Sequence, residues 1–224
     1  MSGDRPGVLL DVDGTLVDTN HLHVLAWSRA FRRAGRPVPM HRIHERIGMG
    51  GDRLVADLLG EDAPQADAVT SAWAEEFHHL WPEVRLLPGA KQLVRTLHLR
   101  RRTVVLASSA PADDVDRFRK LLDVDDWLAG ATSSDDADAS KPDPDIFEVA
   151  IDRFDLDPSA TVAVGDSVWD ARAAARAGIG FVGVESGGTD RRVLTEEGAV
   201  VVARDAAGLS RRIEDHGVDA LRSA

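Results

Sequence analysis

The chain has 224 residues, enough for one domain with a sizeable core, or a core with a modest insertion. It is 43% hydrophobic and 29% charged, the balance of a globular protein, and 27 Lys plus Arg against 38 Asp plus Glu leave a net charge of −11. That charge argues against nucleic-acid and anionic-membrane partners, and the lack of cysteine excludes disulfides, thiolate metal sites and cysteine nucleophiles.

The first apolar run covers residues 7–10 and ends in Asp11-Val12-Asp13-Gly14, which reads as a buried strand followed by a tight turn. Residues 17–87 hold no convincing strand and read as several helices, punctuated by Gly35-Arg36-Pro37 and Gly48-Met49-Gly50-Gly51. After a Pro88-Gly89 turn, residues 90–101 carry Leu93, Val94 and Leu97 at helical spacing. A second strand, 103–107, ends in Ser108-Ser109. The polar loop Ala139-Ser140-Lys141-Pro142-Asp143-Pro144 follows later. A third strand, 161–164, ends in Gly165-Asp166 and leads into an Ala-rich helix over 168–177 that stops at Gly178. Two more apolar runs cover 180–184 and 199–202.

The five runs are β-branched and continuous, which suits parallel strands buried on both faces. Their alternation with helices predicts an α/β fold with a doubly wound parallel sheet. The predicted division is a core of residues 1–16 and 88–224 with a small helical cap, 17–87, inserted after the first strand. Such an insertion would lie over the carboxyl edge of the sheet, where open α/β sheets bind ligands. No apolar run approaches the ~18 residues that span a bilayer, and the N-terminal apolar stretch is too short for a signal peptide. The expected compartment is the cytoplasm.

The notable polar groups sit at predicted strand ends. Asp11 and Asp13 follow the first strand, Ser108 and Ser109 the second, and Asp166 the third, with Asp170 one helical turn further on. Lys141 is one of only three lysines. In a parallel sheet these groups share one rim. Four carboxylates there need a cation, and an all-oxygen set favours a hard ion such as Mg2+.

The motifs Asp11-Val12-Asp13-Gly14-Thr15-Leu16-Val17-Asp18-Thr19, Leu106-Ala107-Ser108-Ser109, Ser140-Lys141-Pro142-Asp143-Pro144-Asp145 and Gly165-Asp166-Ser167-Val168-Trp169-Asp170 occur in this order. Together they make the chain resemble the haloacid dehalogenase-like (HAD) hydrolases, over about residues 7 to 205, and within them the subfamily of phosphoglycolate phosphatases and β-phosphoglucomutases. The resemblance implies a Rossmann-like core and phosphoryl transfer through an aspartyl-phosphate. Asp11 would be the nucleophile and Asp13 the general acid and base. Mg2+ would be held by Asp11, the Asp13 main-chain carbonyl, Asp166 and Asp170. Ser108 and Lys141 would bind the phosphoryl oxygens, and Gly14 would free backbone N–H groups to face them. Ser109, His23 and Arg53 are expected at the substrate.

The position of the insertion narrows the choice, because 96 residues lie between Asp11 and Ser108 but only 32 between Ser108 and Lys141. A small cap implies a small phosphorylated metabolite. Asp13 argues against a haloacid dehalogenase, and the lack of a cap lysine argues against a phosphonatase. A β-phosphoglucomutase would carry an Arg where this chain has Gly51, with Arg53 two residues on as a substitute. The expectation is therefore a phosphatase, with a mutase and a non-catalytic phosphometabolite-binding regulator as alternatives. A monomer is expected, with a dimer as the alternative.

Overall fold

The five apolar runs become five strands of one six-stranded sheet. The computed structural model describes residues 5–222. Strands β1 (Gly7–Leu10), β4 (Thr103–Ala107), β5 (Gly130–Thr132), β6 (Val162–Gly165), β7 (Gly180–Val184) and β8 (Val201–Ala203) lie in the order β5-β4-β1-β6-β7-β8. Every neighbouring pair is parallel. The remaining strands, β2 (Val17–Asp18) and β3 (Arg85–Leu86), form a separate antiparallel pair. Strand β5 was not expected. It is a short edge strand of Gly130, Ala131 and Thr132, with no β-branched run to betray it.

Continuous apolar strands are buried on both faces because alternate residues enter different layers. Leu10, Leu106, Val164 and Val182 pack with helices α5 (Ala90–Leu99), α6 (Ala112–Leu122) and α10 (Ala206–His216). Leu9, Val105, Ala163 and Phe181 pack with α7 (Asp145–Arg153), α8 (Val168–Arg176) and α9 (Arg191–Glu196). The sheet is thus doubly wound, with its switch point at β1, between β4 and β6. Ligand sites of such sheets lie outside the carboxyl ends at this crevice.

Helices α1 (Asn20–Arg33), α2 (Met40–His44), α3 (Gly51–Leu59) and α4 (Ala66–Leu80) follow β1 and have an apolar cluster of their own around Trp27, Phe31, Ile43, Leu54 and Val69. They form the small helical cap. The two chain passages that connect it to the sheet run side by side, since Val17 pairs with Leu86 and Asp18 with Arg85. Polar and ring contacts also cross the seam away from the sheet's rim. Arg53 pairs with Asp143, the Trp169 indole N–H donates to the Glu45 carbonyl at 3.3 Å, and Arg117 meets His78 at 3.0 Å. The Trp81 ring lies 5.2 Å from that of Phe118.

Candidate active site

Asp11 continues the β1 ladder, its N–H donating to the Val164 carbonyl at 2.9 Å, so the strand delivers its carboxylate to the switch point. The turn beyond it depends on Gly14, which has φ +74°; a Cβ there would press on the Asp166 carboxylate at 2.6 Å. Lys141 is 1% exposed, and its ammonium donates to Asp11 Oδ1 at 2.8 Å and to Asp170 Oδ1 at 2.7 Å. Asp170 is fixed from behind by a capping box on α8. Its Oδ2 accepts from the Ser167 hydroxyl at 2.5 Å and the Ser167 N–H at 3.2 Å. Asp166 accepts from Asn20 Nδ2 at 2.8 Å and Thr15 Oγ1 at 3.2 Å.

Asp11, Asp166 and Asp170 are all buried, and each turns one oxygen into a group spanning no more than 4.8 Å. One ammonium faces three carboxylates there, and the imbalance shows in their proton affinities. Burial, with Asp170 and Asp13 nearby, pushes Asp11 up to about 7 despite Lys141. Burial, with Asp11 and Asp170, lifts Asp166 well above the ordinary carboxylate range. Burial alone would lower Lys141, but Asp11 and Asp170 outweigh it and hold it protonated. Hard oxygen donors with unmet negative charge are the donor set of a divalent ion such as Mg2+. Asn20 Oδ1, beside Asp166, is also a buried acceptor without a donor. The residues therefore fit the metal that the family implies.

The Asp13 carboxylate stands apart from that group. Its Oδ1 accepts from Thr19 Oγ1 at 2.5 Å and lies 3.0 Å from His23 Nε2. Burial favours protonation of Asp13, but the His23 ring and the Thr19 hydroxyl prevail and leave it below its ordinary range. His23 is set by ring packing: it stacks on Phe77 at 4.0 Å, and the ladder continues through Trp73 to Trp27.

Between rim and cap lies a cleft lined by Asp11, Asp13 and Ser109 of the rim and by His23 of α1. Above it stand Trp27, Ile47, Met49, Leu54 and Trp73 of the cap, with Asp114 of α6 at the side. Ser108 is fully buried and does not line this cleft; its Oγ accepts the Ala110 N–H at 3.1 Å and shapes the turn that presents Ser109. Arg53 departs from the expectation of a substrate contact. It is half exposed and engages Asp143 instead. Two residues past Gly51 is about 200° around a helix, which carries Arg53 to the far side of α3 from the cleft.

Sequence reasoning missed Thr15, Thr19, Asn20, Trp73 and Asp114 as parts of the site. Thr15 and Thr19 lie inside the first motif, and Asn20 follows it directly. Asp114 reads in sequence as an ordinary acid in a first helical turn, and Trp73 as one of five tryptophans.

The profile of the haloacid dehalogenase-like hydrolases matches residues 6–178. The chain belongs to this family of enzymes, in agreement with the resemblance read from its motifs. A phosphorylated carbohydrates phosphatase of Thermotoga maritima is 28% identical over 88% of this chain and 93% of its own length. A phosphoglycolate phosphatase of Nitrosospira multiformis is 31% identical over 76% and 79%. Among solved structures, a hydrolase from Pseudomonas syringae superposes with a TM-score of 0.88 at 31% identity, covering 95% of this chain and 99% of that one. Among the described residues, no helix is long and apolar enough to cross a membrane.

Proposed function

We propose that the protein is a Mg2+-dependent phosphatase of a small phosphorylated metabolite, working through an aspartyl-phosphate on Asp11. The observation that carries this reading is the buried Asp11–Lys141–Asp170 unit at the switch point, beside a carboxylate triad with unmet charge. The named phosphatases among its relatives support it.

Asp11, Asp166 and Asp170 would hold the ion, with the Asp13 main-chain carbonyl. When bound, the ion supplies charge that offsets the repulsion between Asp11 and a phosphate dianion. Lys141 orients the Asp11 carboxylate and offers positive charge to the phosphoryl oxygens. Ser109 lines the cleft beside Asp11, whereas Gly14 departs from the expectation: its N–H and that of Thr15 are spent inside the turn, on the Val17 and Val12 carbonyls. An oxygen of Asp11 forms the bond to phosphorus as the ester oxygen leaves. That oxygen needs a proton, and Asp13 is the acid within the cleft. His23 Nε2 lies one hydrogen bond behind it, so a proton on the ring can reach the carboxylate. Asp13 then takes a proton from the water that cleaves the aspartyl-phosphate, which returns Asp11 and releases phosphate.

The cleft encloses about 60 Å³, well below the ~300–1,000 Å³ of an ordinary small-molecule site. The described arrangement is therefore closed, and admission of a substrate requires the 17–87 region to swing away at the β2–β3 passages. A mutase is disfavoured by position 51. Gly51 lines the cleft, and a Cβ there would already meet the Trp27 ring at 3.2 Å. A second phosphate would find no cation at that place.

The test is phosphate release with Mg2+ across small esters, including 2-phosphoglycolate, hexose phosphates, glycerol phosphate, nucleoside monophosphates and β-glucose 1-phosphate. We expect release from at least one, loss in Asp11→Asn by about 10³-fold or more, and loss with EDTA that added Mg2+ reverses. Conversion of β-glucose 1-phosphate to the 6-phosphate without release would establish the mutase instead.

A further inference from the structure

The phosphate end of the cleft has Lys141 behind Asp11 and would gain the charge of a divalent ion, but the opposite end has no such cation. Trp27, Ile47, Met49, Leu54 and Trp73 form an apolar and aromatic wall, and the acid added to them is Asp114, whose proton affinity burial raises. Among the described residues, no Arg or Lys lines the cleft. The nearby cap arginines are committed elsewhere: Arg46 to Asp57 and Glu45, Arg29 to Glu76 and Arg53 to Asp143. Arg117 comes closest, at 3.6 Å from Asp114 Oδ1. It lies behind that carboxylate, over the Trp81 ring and against His78, and does not reach the lining.

The Trp73 indole N–H is buried and has no acceptor. Trp27 and Trp73 stack at 4.7 Å with planes 9° apart, which makes one broad aromatic surface. Aromatic faces attract apolar rings and cations and repel anions. A carboxylate or second phosphate placed against them would be desolvated without a partner, and would face Asp114 as well.

Building on the phosphatase reading, we propose that the substrate is a phosphate monoester whose alcohol part carries no anionic group. That part presents a ring or other apolar face to Trp27 and Trp73. It offers a hydrogen-bond donor, a hydroxyl or an ammonium, to Asp114. The class excludes phosphorylated hydroxy acids and bisphosphates, and so departs from the phosphoglycolate named for one relative.

Two matched series test this with the full-length, Mg2+-loaded protein. One is 2-phosphoglycolate, ethylene glycol monophosphate and phosphoethanolamine. The other is the 4-carboxy, 4-hydroxymethyl and 4-aminomethyl phenyl phosphates. Within each series the carbon count is kept and the distal polar group changes. We expect kcat/KM for the carboxylate to be lower by about tenfold or more than for the better of the other two, from charge repulsion and lost solvation. The aryl series should exceed the two-carbon series in 1/KM. Asp114→Asn should shrink the gap in kcat/KM between carboxylate and ammonium esters by about threefold or more. The order of hydroxyl and ammonium tells which donor the site prefers. Equal or better turnover of the carboxylate esters, with Asp11→Asn inactive, would overturn this proposal and leave the phosphatase standing. No release from any of the six esters, nor from the wider panel above, would overturn both.

Discussion

The rim of the sheet and the wall of the cap face each other across one cleft and are held in place by different forces. At the rim, Asp11, Asp166 and Asp170 accept hydrogen bonds from Lys141, Asn20, Thr15 and Ser167, so each carboxylate is aimed by directional contacts. On the wall, Trp27 and Trp73 are aimed by stacking, with Phe77 behind Trp73, and the Trp73 indole N–H has no acceptor. Directional bonds fix the chemistry to within a fraction of an ångström. Packing fixes only a shape, which can differ from one relative to another without touching the reaction.

The comparison breaks most sharply at Lys141. Lys141→Met should lower phosphate release by about 10²–10³-fold. It should also destabilise the metal-free protein by about 3–5 kcal/mol, because two buried carboxylates lose their cation. Added Mg2+ should return part of the melting temperature but not the rate. A variant with near-wild-type release would show that the rim does not work as a unit.

A smaller effect separates rim from wall by pH. The Asp11 carboxyl titrates higher in the folded chain, at about 7, than in the unfolded one. Such a group stabilises the fold fully below its unfolded value, and that stability is lost as pH rises through 7. Asp166 is shifted in the same direction. The melting temperature of the metal-free protein should therefore fall between pH 5 and 8, and saturating Mg2+ should flatten the slope. A flat metal-free profile would mean that these carboxylates are not strained by one another. Smallest of all is Arg53→Ala. Its pair with Asp143 is exposed and crosses the seam between cap and core, so stability should change by about 0–1 kcal/mol. An altered KM with an unchanged rate constant would mark the pair as a clasp on the closed form.

The same contrast decides what was legible in the sequence. Strand ends carry Asp11, Ser108 and Asp166, and a strand end can be found from its apolar run alone. Lys141 stood out because lysine is scarce and the loop matched a motif. The wall was opaque: Trp73 is 46 residues from Trp27 and meets it only when α1 and α4 pack. Arg53 does not reach the cleft because spacing along a helix sets direction, and two residues past Gly51 the side chain leaves on the other side of α3. Strand β5 was invisible since its three small residues join the sheet through neighbours rather than through their own preference.

The tryptophans at the seam have a use beyond packing. The chain has no tyrosine and five tryptophans, so its near-ultraviolet emission comes from indoles alone. Trp81 leans on Phe118 across the seam, and Trp169 donates to Glu45 across it. Separation of the two sides would bring both indoles into water and shift their emission to the red. The protein thus carries a built-in optical gauge of its own opening, readable in a stopped-flow mixer without any label.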